Sequence, residues 1–118
     1  MLIDELCDYC LTKPFTEECL PFDNDTLVFK VKGKMFALIS ISEPETVNLK
    51  CDAEYAAELR ERYTEVQPGW HMNKTKWNTV SLVGDLSDKF IRELIDHSFS
   101  EVVKGLPKKV QSEFLGSK

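Results

Sequence analysis

The stretch Thr26-Leu27-Val28-Phe29-Lys30-Val31-Lys32-Gly33-Lys34-Met35-Phe36-Ala37-Leu38-Ile39-Ser40-Ile41 decides the fold. It contains two β-rich runs, Thr26 to Lys32 and Met35 to Ile41. Lys32-Gly33 between them suits a two-residue turn with glycine at its second, positive-φ position, so the stretch reads as a hairpin. Alternation assigns Leu27, Phe29, Val31, Phe36 and Leu38 to one face and Val28, Lys30, Lys32, Met35, Ala37, Ile39 and Ile41 to the other. The first face is expected to meet the core.

C-terminal to the hairpin, Thr46 to Lys50 alternates Val47 and Leu49 against Asn48 and Lys50 as a third strand. Asp52 can cap a helix with Ala56, Leu59 and Tyr63 at helical spacing, and Glu58 and Arg62 are placed for an i, i+4 ion pair. Pro68-Gly69 ends that region. Trp77 to Val83 reads as a fourth strand closed by Gly84. Ser87 then caps the longest helix, whose Phe90, Ile91, Leu94, Ile95, Ser98, Phe99, Val102 and Val103 form a buried stripe ending at Gly105. Pro107 opens a final short helix with Val110 and Phe114. N-terminal to the hairpin, Ile3, Leu6, Cys7, Cys10 and Leu11 form one helical stripe. That helix ends near Thr12 because Pro14 restricts Lys13, and Pro21 with Asp23-Asn24-Asp25 marks a loop. The pattern predicts one α+β domain over residues 1–118: a mainly antiparallel sheet covered on one face by the first and the long helix. On this reading the first hairpin face meets Ile3, Leu6, Phe90, Leu94 and Val102.

Length and composition suit a soluble globular chain of 118 residues, long enough to bury roughly two-thirds of its unfolded surface. The N-terminus lacks a basic region followed by a long apolar one, and Met35 to Ile41 is far shorter than a membrane span, which predicts a cytoplasmic protein without membrane contact. Cys7, Cys10, Cys19 and Cys51 would be reduced there. Cys7-Asp8-Tyr9-Cys10 is formally C-x-x-C, a redox or zinc spacing, but both cysteines lie on the first helix's apolar stripe and no second such pair completes a zinc site. Both are expected to be buried, reduced and unmetallated.

A second informative run is Pro68-Gly69-Trp70-His71-Met72-Asn73-Lys74 followed by Trp77, which gathers both tryptophans and one of the two histidines. Taken with Gly33-Lys34-Met35-Phe36-Ala37-Leu38, Asn48-Leu49-Lys50-Cys51, Trp77-Asn78-Thr79-Val80 and Val103-Lys104-Gly105-Leu106-Pro107, it resembles the MmcQ/YjbR family of small bacterial proteins over nearly the whole chain. The resemblance implies a CyaY/frataxin-like α+β fold, and a likeness to a double-winged DNA-binding module from which the family's DNA-binding label arises. No catalytic constellation comes with it.

A net charge of −5 opposes nucleic-acid binding in general, yet its distribution is uneven. Thr26 to Ser42 carries Lys30, Lys32 and Lys34 and no acid; Gln67 to Gly84 carries His71, Lys74 and Lys76 and no acid. With Asn73, these residues are the candidate DNA contacts, and Trp70 and Trp77 could add stacking. The plainer alternative is that Lys30 and Lys32 solvate an outward face and Trp77 is core. A third reading is a protein- or small-ligand-binding module using an uncovered sheet face, with Val28, Ala37, Ile39 and Ile41 as its apolar patch. An enzyme is not indicated: His71 and Lys74 sit in no phosphate-cradling, oxyanion or metal motif, and His97 lies off the buried stripe and is expected to be exposed. Asp23-Asn24-Asp25 lacks the remaining ligands of a calcium loop. Asp4, Glu5 and Asp8 make an acidic edge like that of iron-binding frataxin-like helices, but the helix dipole explains them. No cofactor motif is present.

Overall fold

In the computed structural model, which describes residues 1–69 and 72–115, the elements in order are α1 (Ile3–Leu11), β1 (Thr16–Cys19), β2 (Thr26–Val31), β3 (Lys34–Ser40), β4 (Thr46–Lys50), α2 (Ala53–Arg62), β5 (Val66–Pro68), β6 (Trp77–Ser81), α3 (Asp88–Lys104) and α4 (Lys108–Leu115). The strands form one antiparallel sheet in the order β1-β2-β3-β4-β6-β5. This is the expected α+β architecture. The expected caps are present: the side chains of Asp52 and Ser87 accept from the Tyr55 and Phe90 N–H groups. The hairpin turn also forms as its residues dictate. Lys32 (φ 49) and Gly33 (φ 82) both take the left-handed conformation that matches the twist of the flanking strands.

Helices α1, α2 and α3 cover one face of the sheet. Leu6 and Cys10 of α1, Ala56 and Leu59 of α2, and Ile91, Leu94, Ile95 and Val102 of α3 pack there against Phe29, Phe36, Ile39, Val47 and Leu49. The edge-on stacking of Phe36 on Phe99, with centroids 5.4 Å apart, joins the hairpin to the long helix. Phe99 in turn meets Phe114 of α4 at 5.9 Å. Tyr9 Oη donates to Asp96 at 2.6 Å and the Lys13 ammonium pairs with the same carboxylate, tying α1 to α3.

The hairpin faces differ from strict alternation at one place. Phe29 pairs with Ala37 but Lys30 pairs with Met35, so Phe36 is an extra residue on β3. Such a bulge inverts the sidedness of everything beyond it. Phe36 and Ala37 therefore both turn to the helices, Ile39 follows them, and Leu38 goes to the opposite face beside Val28 and Trp77. The expectation that Leu38 faces the helices, and that Ala37 and Ile39 form an outer patch with Val28, is corrected accordingly. Ile41 lies just past the strand and is exposed.

The bulge has a fitted partner in α3. Where Phe36 and Lys50 would have formed the next rung between β3 and β4, the Ser98 hydroxyl is inserted. It donates to the Phe36 carbonyl at 2.5 Å and accepts from the Lys50 N–H at 2.8 Å. Ser98 is completely buried, and both interrupted backbone groups are satisfied through it.

Further differences concern elements with weak local signals. β1 and β5 were not expected; both are short edge strands, one bearing Glu17 and Glu18 and the other ending in Pro68, which discourages further pairing. His97 is half-buried rather than exposed: its Nε2 accepts from the Asp52 N–H at 3.1 Å and its ring meets Tyr55 edge-on at 5.0 Å. Cys10 is buried but Cys7 only half so, because Cys7 lies at the margin of the α1 stripe.

Candidate binding face

The sheet face opposite the helices is lined by a row of residues paired across the strands: Cys19, Val28, Leu38, Asn48, Thr79 and Gln67. The row passes from apolar to polar, and Thr79 Oγ1 donates to Asn48 Oδ1 at 2.5 Å. Beside it Met35, Met72 and Trp77 pack on Val28 and Leu38. Trp77 is 8% exposed, so it is a packed member of this outer cluster and not part of the helix-covered core.

Above the row lies a groove of about 860 Å³. Leu38, Asn48 and Thr79 line its floor, Phe22 and Asp23 of the β1–β2 loop one wall, and Pro68 at the end of β5 with Met72 of the β5–β6 loop the other. Phe22 is 63% exposed. Asp23 is occupied in its own turn: Oδ1 accepts from the N–H groups of Thr26 at 2.6 Å and Asp25 at 2.9 Å. These bonds, that from Thr26 foremost, hold its pKa below the usual carboxylate value.

The β5–β6 loop is held by its backbone. Gly69 N–H donates to the Trp77 carbonyl at 2.7 Å, and a Cβ on Gly69 would lie 2.7 Å from Trp77 Cβ, so only glycine fits. Arg60 of α2 reaches across with Nε 2.7 Å from Asn78 Oδ1 and Nη2 bonded to the carbonyls of Lys74 and Trp77. Asn78 is otherwise buried, and its Nδ2 has no hydrogen-bond partner among the described residues. The Cys51 N–H adds a bond to the Lys76 carbonyl at 2.8 Å.

The seven residues singled out from the sequence are distributed as follows. Lys30 lies on the outer face beside Met35. Lys32 and Lys34 sit at the hairpin tip; Lys32 is turned toward the helices, where its ammonium pairs with Glu113 at 3.4 Å and lies 4.0 Å from the Phe15 ring centroid. Lys34 is exposed. Lys74 and Lys76 are exposed on the loop before β6. Asn73 is exposed, but its Oδ1 accepts from the Thr75 N–H at 2.9 Å and so serves the turn. His71, like Trp70, lies outside the described residues. Lys50 joins this set: it pairs with Trp77 and faces outward. Its outward place was legible in the alternation of β4, although it lies in neither acid-free segment.

By strand register Lys30, Lys34 and Lys50 lie at one end of the sheet, where the loop bearing Lys74 and Lys76 also falls; Lys30 and Lys50 face outward, Lys34 pairs with Val31 on the helix-covered side, and Glu17 stands opposite Lys30. The opposite end carries Asp23, Asp25, Glu43 and Glu45. There Asp25 accepts from the Ser40 hydroxyl at 2.6 Å and from the Ser42 N–H at 2.8 Å, tying the β1–β2 loop to the end of β3 and the loop after it.

Among the described residues no cluster of three or more His, Cys, Asp or Glu side chains could hold a metal ion. Burial pushes the thiols up, Cys10 and Cys51 to about 12 and Cys7 to about 11, so they are poor nucleophiles at neutral pH. Nor is any helix among the described residues long and apolar enough to cross a membrane.

An antiparallel sheet with helices on one face and a grooved, open opposite face defines a small α+β domain of one known kind. The YjbR family model matches residues 11–101, and this chain belongs to the YjbR family. It is 37% identical over 108 residues to the uncharacterized protein YjbR of Escherichia coli K12, covering 91% of this chain and 92% of that one. It is 38% identical over 102 residues to the uncharacterized protein YbdF of Escherichia coli O157:H7, covering 86% and 84%. Among solved structures, Deinococcus radiodurans protein DR2400, with a DUF419 domain, superposes with a TM-score of 0.90 at 38% identity, over 96% of this chain and 87% of that one. A Pseudomonas syringae protein superposes with a TM-score of 0.70 at 31% identity, over 83% and 96%.

Proposed function

We propose that this protein is a non-catalytic, cytoplasmic nucleic-acid-binding protein that meets phosphates at the lysine-bearing end of its sheet. The observation that carries the reading is the strand register, which sets Lys30 and Lys50 on the open face at one end of the sheet, the end that also holds Lys34 at the hairpin tip and Lys74 and Lys76 on the loop before β6, in a chain that is acidic overall. Phosphate contacts supply most non-specific affinity, and a local cluster suffices for them. A non-catalytic role is supported by what the candidate groups are already doing. The thiols are held protonated, His97 accepts a backbone N–H, and Asp23 is occupied in a turn.

The test is binding of labelled duplex and single-stranded oligonucleotides across a salt series. With three to five lysines on phosphates, log affinity falls against log salt with a slope of roughly −2 to −4.5. Lys34→Glu or Lys76→Glu weakens binding to all sequences alike and flattens the slope by about one. Lys32→Ala, already paired with Glu113, leaves the slope unchanged. No binding of either form at low salt retires the reading.

The groove itself favours a second reading, a protein- or small-ligand-binding module without nucleic-acid function. Its volume falls within the usual range for ligand sites, and its floor combines Leu38 with the neutral polar groups of Asn48 and Thr79. The two readings part at Lys34 and Lys76, whose reversal leaves a neutral ligand's affinity unchanged.

A further inference from the structure

Resting on the nucleic-acid reading and deepening it, we infer that the ligand is a single strand laid on the uncovered sheet face, with bases in the groove and phosphates on the lysines at its mouth. Bases of a duplex stay stacked inside the helix and reach a recessed site only when flipped out, at a cost of a few kcal/mol. A single strand offers them directly.

The lining matches what bases need. Phe22 projects from one wall, 63% exposed, as a stacking surface, and Met35, Met72 and Leu38 are polarizable or apolar neighbours for base faces. Asn48 Nδ2, Gln67 Oε1 and the Thr46 hydroxyl supply polar groups for base edges along the same floor, while Asn48 Oδ1 accepts from Thr79 and Gln67 Nε2 donates to the Thr64 carbonyl. Between these groups the groove is uncharged, and its two carboxylates, Asp23 and Glu43, stand at the end away from the lysines. Charge complementarity therefore sets the direction of entry: phosphates sit at Lys50 first and at Lys30, whose neighbour on the edge strand is Glu17, and are repelled by Asp23 and Glu43 at the far end. Lys50 lies two residues beyond Asn48 on the same face of β4, roughly 6.6 Å along the strand, a distance on the scale of one nucleotide.

The experiment compares a fluorescein-labelled oligothymidylate of a dozen nucleotides with a duplex of equal length, by anisotropy at low salt, on the whole protein. The expected result is tighter binding of the single strand. Phe22→Ala, on an exposed loop, weakens it by about 5- to 150-fold, the range for loss of one stacked base, and leaves duplex affinity unchanged. Asn48→Trp, filling the groove, abolishes single-strand binding; thermal melting checks that it folds, and Phe22→Ala decides the matter if it does not. Equal or tighter duplex binding, or a single-strand affinity indifferent to Phe22→Ala, overturns the inference while the lysine-end reading stands. Binding of neither form overturns both.

Discussion

Ser98→Ala tests the bulge that places the binding face. The hydroxyl removed is completely buried and serves two backbone groups, the Phe36 carbonyl at 2.5 Å and the Lys50 N–H at 2.8 Å. Leaving a buried polar group unpaired costs about 1–3 kcal/mol, so the two together set an upper range of roughly 2–6 kcal/mol. The strands can close part of the gap once Oγ is gone, which brings the expectation to about 2–4 kcal/mol. For a chain of this length that is a fall in Tm of about 6–20 °C. Thermal and urea unfolding read the stability, and native-state amide exchange reads the site, where the Lys50 N–H should lose protection. Ser100→Ala, on the exposed side of the same helix, is the control and should stay within about 0.5 kcal/mol of the parent. If Ser98→Ala matches that control and Lys50 stays protected, the hydroxyl does not bridge the interrupted rung and the account of the bulge is wrong.

Gly69→Ala would set a Cβ 2.7 Å from Trp77 Cβ and 2.8 Å from the Trp77 carbonyl, so it should destabilise by about 1–3 kcal/mol and shift backbone resonances from Asn73 to Asn78. Cys10 and Cys51, buried and held as thiols to about pH 12, should be alkylated near neutral pH only as the protein unfolds. Mass spectrometry of a time course checks this, and prompt native labelling of both would contradict it. Asp25 is held below its ordinary 3.8 by the Ser40 hydroxyl first, then by the N–H and hydroxyl of Ser42. A depressed carboxyl adds stability that is present above the ordinary value and lost as pH falls through the lowered one. Asp25→Asn should therefore destabilise at neutral pH and matter little near pH 2, as read by urea unfolding at each pH.

Much of the fold was legible because its signals are local. Lys32-Gly33 dictates a hairpin turn by itself, and Ser87 and Gly105 bracket the long helix. β1 and β5 were not legible: Thr16-Glu17-Glu18-Cys19 and Val66-Gln67-Pro68 become strands only because β2 and β6 offer them partners. The bulge was hidden for a different reason. Every residue from Met35 to Ile39 is apolar, so alternation cannot reveal an extra residue among them. The hydroxyl of Ser98 in an otherwise apolar stripe was the trace it left. His97 escaped because stripe arguments see one helix, whereas its partner Asp52 caps another. As for the binding face, the sequence marked lysines by the absence of nearby acids. It could not show that Lys32 turns away to Glu113, that Lys50 lies on the open face, or that Asp25 and Glu43 stand at the other end of the strands.

That separation answers the objection that an acidic protein should repel nucleic acid. From Lys50 the far end of β4 at Thr46 is four residues away, roughly 13 Å at about 3.3 Å per residue, and Asp25 and Glu43 lie just beyond it. At physiological ionic strength the Debye length is about 8 Å, so a phosphate at Lys50 lies roughly two screening lengths from Asp25 and Glu43 and feels them only weakly. Near 0.01 M salt the screening length grows to about 30 Å and spans the sheet, so the same phosphate then feels the carboxylates as well. Affinity should therefore rise as salt is lowered, but the log–log plot should bend and flatten toward the lowest concentrations instead of staying linear. Glu43→Gln, which removes a far-end carboxylate, should straighten the plot at low salt and leave affinity near 0.15 M almost unchanged. A parent plot that stays straight throughout, or a Glu43→Gln effect as large at 0.15 M as at 0.01 M, would show that the two ends do not act through screened charge over that distance.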